Sequence, residues 1–220
     1  GPTSVVTGRP VCGDETLSED ALVENRCDFG NDIYAHPLDD EYHQTRSALW
    51  SKLTTPILTA ANWGGQGLHP RGNFEGFTRA APSNKWLEAH GLEHWTEFYT
   101  DYGLALQKRF FDYFLKGKDN GWQNHPRVQL QIRKIDGFEK RYEDAWPIPR
   151  TQWMPFYIHE DLTLSTDKPT RDSTVNFTAM KDGLTFLSAP LSSEMEITGP
   201  SAFKTIVSSS TVDADIFVIL

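Results

Sequence analysis

The sequence has little cysteine, no long apolar run and no basic cluster, and each shortage removes a class of function. Cys12 and Cys27 are its only cysteines, so a small disulfide-held scaffold is excluded. Two thiols in a polar segment read as unpaired bystanders ahead of a single bridge. No stretch approaches the roughly 18 consecutive apolar residues that a membrane helix needs. Lysine and arginine total 21 against 30 aspartates and glutamates, a formal charge of −9. With no Lys/Arg cluster either, phosphate-backbone binding is excluded as the main task, and neither nucleic acid nor membrane is expected as a partner. What remains, 38% hydrophobic and 23% charged over 220 residues, suits one large or two modest soluble globular domains.

The termini also lack something. GPTSVVTG carries neither an initiating Met nor a signal peptide, and the cytoplasm is favoured over a secretory route. DIFVIL stops within an apolar β-type run that has neither turn nor partner. Both ends read as cut, so a fragment of a longer chain is expected.

What is present changes character along the chain. Residues 1 to about 50 are polar, acidic and irregular, with a helix expected around SEDALVENR, where Ser18 can cap, and a second in DDEYHQTRSALW. From Pro56 the pattern sharpens. PILTAA is a buried-strand run closed by Asn62-Trp63-Gly64-Gly65, and Pro70 suits the first position of a helix bearing Phe74 and Phe77. KWLEAH is a second strand-like run. Leu106, Phe110, Tyr113 and Phe114 then recur at i, i+4, i+7 and i+8 of a long helix, with Gly117 where a C-terminal cap belongs. Strand, loop, helix, strand, loop, helix predicts a parallel α/β sheet over residues 51–125. After GKDNGWQNHP the period becomes 2, in VQLQIR, TVNFTA and AFKTIVSSS, with turn signals such as Asp136-Gly137. Residues 126–220 are therefore expected to form a partial β-sandwich.

The stretch His90-Gly-Leu-Glu-His94 spells the letters H-x-x-E-H of a zinc-protease helix. Gly91 inside that turn opposes the helix at about 1 kcal/mol relative to Ala, and the strand-like run just before it opposes it again. In open α/β sheets the working residues sit in loops at the carboxyl ends of strands, where both the NWGG and HGLEH segments fall. A histidine there suits the general base of a hydrolase, since a neutral imidazole can take a proton from a serine hydroxyl and return it to the leaving group. Neither His69, in a turn beside Pro70, nor Asp213 and Asp215, at a strand end, is expected to act.

Taken in order, TTPILTAANWGGQGLHPRGNFEGF, KWLEAHGLEHW, ALQKRFFDYFLKGKDNGW, PRVQLQIR, APLSSEMEITGP and SSSTVDADIFVIL resemble the CocE/NonD group of α/β-hydrolases. That group includes cocaine esterase, α-amino-acid ester hydrolases and Xaa-Pro dipeptidyl-peptidases. The resemblance implies an α/β-hydrolase domain with a helical cap remnant (residues 1–50), followed by a jelly-roll domain, and a Ser-His-Asp triad acting on esters or amides without a cofactor or metal. His94 matches the triad histidine, with His90 as second choice, while Trp63 and Gln66 would border the substrate, a small ester, amide or peptide. Two departures stand out. No G-x-S-x-x-G elbow occurs, so the nucleophilic serine is expected outside these residues and the isolated chain is expected to be inactive. The family's Trp-Tyr-Asp-Gly is here Trp63-Gly64-Gly65-Gln66, which puts Gly65 where the acid belongs. The alternative is a binding module that has lost catalysis and works through its sandwich. Oligomeric state is left unassigned.

Overall fold

The computed structural model describes residues 3–9, 18–65, 69–181 and 183–220; Cys12 and Gln66 lie outside the described residues. The chain divides into two compact units, residues 1–49 and 50–220. In the first, α1 (Glu19–Asn25), α2 (Phe29–Ala35) and α3 (Glu41–Arg46) are each two turns or less, too short to persist without help. Each begins with a side-chain cap: Ser18 accepts from the Ala21 amide, Asp28 from Asn31 and Asp40 from Tyr42. Tyr42 then joins two of them, stacking on His36 with centroids 4.3 Å apart and donating from its hydroxyl to Asp32 at 2.7 Å. Cys27 is a free, exposed thiol.

The second unit is built on β1 (Ile57–Asn62), α4 (Pro70–Arg79), β2 (Lys85–His90), α5 (His94–Phe98), α6 (Asp101–Lys116), β3 (Val128–Lys134) and β4 (Gly137–Glu143). The four strands form one sheet in the order β1-β2-β3-β4, with β1 parallel to β2, β2 parallel to β3, and β3 antiparallel to β4. Because side chains alternate along a strand, β2 sends Leu87 and Ala89 to one face and Trp86, Glu88 and His90 to the other. The first face packs with Ala61, Val128, Leu130 and Ile132 beneath Phe77 of α4. On the second, Trp86 meets Phe110 of α6 and the fully buried Trp122. Both faces of β2 are covered, which is why KWLEAH reads as a continuous run.

α6 starts at Thr100, whose hydroxyl accepts from the Gly103 amide at 3.1 Å, and ends at Gly117 in the left-handed region (φ 62°). Its expected apolar stripe is the one that packs. Phe111 lies one residue, about 100°, round from Phe110 and is half exposed.

The first alternating run of the segment expected to form a sandwich, residues 126–220, pairs with the α/β sheet. VQLQIR is β3, bonded to β2 through Leu87–Val128 and Ala89–Leu130, so the hairpin β3-β4 completes the α/β sheet. Period-2 alternation is the same in a sandwich strand and in an antiparallel sheet edge, and cannot tell them apart. Beyond it, β5 (Tyr157–Ile158) pairs with β6 (Leu164–Ser165), and Thr163 bridges to Leu187. TVNFTA and AFKTIVSSS, read as strands, are not strands in the structure. Alternating residues become a strand only where another edge takes their backbone hydrogen bonds, and these segments are largely exposed.

Candidate active site

The parallel register of β1 and β2 sets Asn62 beside His90, so the two strands run out together at their carboxyl ends. Their pairing continues past the strand ends: the Trp63 amide donates to the His90 carbonyl at 2.9 Å and the Gly64 amide to that of Leu92 at 3.4 Å. Small residues make the approach possible. A Cβ on Gly64 would stand 2.7 Å from the carbonyl carbon of Leu92, and one on Gly91 would fall on the ring of Phe138. The NWGG and HGLEH loops are thus one two-ply edge above the sheet.

His94 is the first residue of α5 and is exposed. Its imidazole meets two rings edge to face, His69 at 4.6 Å (77°) and Trp95 at 4.6 Å (75°). His69, expected to be a bystander, is therefore drawn to the site, carried there by the turn that leads into α4. Glu93 caps α5 at the backbone and accepts from the Thr96 hydroxyl at 3.2 Å. Trp63 stacks on Phe74 at 5.3 Å, Phe74 stacks on Trp146, and the indole N–H donates to the Gln131 carbonyl at 2.7 Å. Packing is its first task, and the residue is half-buried.

His90 and His94 do not share a helix. His90 ends β2, and His94 opens α5 after an intervening turn, so the H-x-x-E-H letters do not describe a zinc-protease helix. His90 is 3% exposed, and its Nδ1 is 2.8 Å from Glu88 Oε2. Burial alone would lower its pKa, but the hydrogen bond and charge of Glu88, helped by Glu97, carry it above the ordinary histidine value. Tyr102 of α6 donates to the other Glu88 oxygen at 3.5 Å and is contacted by Gln129 Nε2. Burial first, then the Glu88 charge, push its phenol well above the usual range, so it stays protonated and a donor.

A side chain at position 65 would require the Asn62 amide to move. Gly65 N–H donates to Asn62 Oδ1 at 2.5 Å, and that oxygen fills the space that a Cβ at 65 would enter. The fully buried Asn62 amide therefore closes the turn where the family pattern carries its acid.

Glu88, Tyr102, Gln129 and Gln131 were missed as members of this edge. The available signal was a glutamate two residues before His90 inside an otherwise buried run, hence on the same strand face, and two glutamines on the polar side of β3. By contrast, a pocket of about 250 Å³ lined by Phe77, Ser83, Lys85, Arg127, Asp144 and Trp146 lies at the other end of β2, which Lys85 begins. Its lysine is taken up by the Thr78 and Ala80 carbonyls at 3.2 and 2.6 Å, closing the C-terminus of α4. Asp213 and Asp215 are exposed, and among the described residues no three His, Cys, Asp or Glu are grouped to hold a metal ion. Among the same residues no helix is long and apolar enough to cross a membrane.

Comparison with known proteins gives a consistent set of likenesses. Residues 120–220 match the X-Pro dipeptidyl-peptidase C-terminal non-catalytic domain. A 54-residue stretch is 39% identical to the cocaine esterase of Rhodococcus sp. (strain MB1 Bresler), covering 24% of this chain and 9% of that protein. The crystal structure of a CocE/NonD family hydrolase from Staphylococcus aureus superposes with a TM-score of 0.61 at 38% identity, over 64% of this chain and 26% of that one. An aminopeptidase from a marine sediment archaeon, Thaumarchaeota archaeon, shares the fold at 17% identity (TM-score 0.51, 76% of this chain and 33% of that one). The matched regions thus span from 9% to 33% of the length of these relatives.

Proposed function

Because this chain is of the CocE/NonD hydrolase type, we propose that it supplies the general-base histidine of a serine hydrolase acting on esters or amides, and that this histidine is His94. The observation that carries the reading is the place of that imidazole: exposed, immediately beyond the carboxyl end of a parallel strand, and braced between His69 and Trp95. In the proposed reaction His94 takes the proton of a serine hydroxyl as oxygen attacks the acyl carbon. It returns that proton to the departing alcohol or amine, then activates water to release the acyl-enzyme. The serine comes from polypeptide outside these 220 residues, which hold no G-x-S-x-x-G elbow. Without it, the 220 residues alone should be hydrolytically silent.

Trp63 serves as the rim of the substrate site, together with Gln66, three residues on in sequence. The substrate class follows the named relatives, small esters and X-Pro peptides among them, while residues 126–220, within the stretch that matches the non-catalytic C-terminal domain, supply part of a jelly-roll domain. The test is His94→Ala in the complete natural polypeptide bearing this sequence. Hydrolysis of an activated ester such as p-nitrophenyl acetate should fall by about 10³-fold or more in kcat, and serine labelling by a fluorophosphonate, which draws on the same base, should slow with it. A fall of less than tenfold removes His94 from the chemistry.

A further inference from the structure

Between them, Gly91 and Glu97 bracket the segment that carries His94, and one side chain from another strand holds both. Gln131, on β3, accepts the Gly91 N–H on Oε1 at 3.0 Å and donates from Nε2 to Glu97 Oε1 at 3.0 Å. Its backbone carbonyl accepts the Trp63 indole N–H at 2.7 Å. From one residue of the neighbouring strand, three bonds thus reach the NWGG loop, the start of the HGLEH turn and the body of α5. We propose that Gln131 is a positioning residue for His94, setting its reach over the carboxyl ends of the strands; the inference rests on the general-base reading of His94 given above.

The physical case is one of rigidity. α5 has five residues and its cap Glu93 makes no side-chain cap bond, so helix propensity does little to hold it. His94 itself is exposed, and among the described residues its ring is braced by neighbouring aromatics, one of which, Trp95, moves with it. A base must stay within hydrogen-bond reach of the proton it takes, and a misplacement of about 1 Å can cost on the order of 10²-fold in rate. With Gly65 and Asn62 occupying the place of the orienting acid, the brace has to come from elsewhere. The amide is the side chain for it, because it offers an acceptor to a backbone N–H and a donor to a carboxylate from one planar group.

The chemistry allows a reciprocal test in the complete natural polypeptide. Gln131→Met keeps the length but neither bond. Gln131→Glu keeps the acceptor for Gly91 and sets two carboxylates against each other. Pairing Gln131→Glu with Glu97→Gln restores donor and acceptor with their roles exchanged. The single variants should lose about tenfold or more in kcat on p-nitrophenyl acetate with KM within about twofold, and the exchanged pair should recover to within about threefold of wild type. Two readouts are independent of turnover: hydrogen exchange at the Gly91 amide should quicken at least about tenfold in Gln131→Met, and the nuclear Overhauser contact between the His69 and His94 rings should weaken. Unchanged exchange and an unchanged ring contact in that variant overturn the positioning role, whatever His94→Ala shows. Altered exchange with full activity, in a protein that His94→Ala silences, overturns it too.

Discussion

Gly64→Ala probes the two-ply loop edge with a single methyl group. The added Cβ would lie 2.7 Å from Leu92 C, 2.9 Å from Glu93 N and 3.0 Å from Leu92 O. All three are backbone atoms and cannot swing aside as a side-chain tip would. Ordinary contact begins at 3.4 Å, so the loops must part by about 0.7 Å, taking with them the 3.4 Å Gly64–Leu92 hydrogen bond. Overpacking of this kind costs about 1–3 kcal/mol, and the lost bond adds about 1 kcal/mol. For a chain of this size each kcal/mol moves Tm by about 2–4 °C, so thermal denaturation followed by circular dichroism should show Tm lower by roughly 4–16 °C. The same displacement acts on the turn that ends at His94, and most of an ångström there should lower kcat on an activated ester by about 10–100-fold. A variant with wild-type Tm and kcat would refute the reasoning, because it would mean that the two loops do not touch.

Two other perturbations test the sheet that carries the site. Trp122 is fully buried against Trp86 and Phe110, and its indole N–H makes no hydrogen bond among the described residues. Urea denaturation should show Trp122→Ala losing about 3–5 kcal/mol and Trp122→Phe less than half of that, since no hydrogen bond goes with the smaller ring. Glu143, at the end of β4, accepts hydrogen bonds from both Arg150 Nη atoms at 2.6 Å and forms an ion pair with Arg141, whose Nε is 2.7 Å away. The Arg150 hydrogen bond outweighs burial and holds its pKa below 4.5. Its contribution is therefore full above pH 4.5 and lost as pH falls through the lower folded-state value. Arg150 is 64% exposed and screened, so Glu143→Gln should remove only on the order of 1 kcal/mol at neutral pH and flatten the acid limb of the stability profile.

Much of the second unit was legible in one dimension. β1, α4, β2 and α6 lie where PILTAA, the Pro70 start, KWLEAH and the Leu106–Phe110–Phe114 stripe placed them, and Gly117 ends α6 in the conformation that only glycine adopts freely. α2 was not foreseen, because seven residues with a single Asp28 cap carry almost no periodicity. The alternating runs after residue 126 were read alike, yet VQLQIR became a sheet strand and TVNFTA did not. Which of them pairs depends on the edge that β2 offers, and no residue within either run reports it.

Within the site the division is sharper. Local chemistry in the sequence, a histidine pair just past a buried strand and glycines in the facing turn, pointed to the carboxyl end of β2, and the family resemblance singled out His94 there; the folded chain sets that residue exposed at the start of α5. Only the folded chain could show that His69 stands against it, that Asn62 has closed the space an acid would need, and that Gln131 ties the turn to α5 from 34 residues or more downstream. Short-range preferences of the backbone are written in neighbouring residues, whereas contacts across strands depend on register and on which faces meet, and these exist only once the sheet has formed.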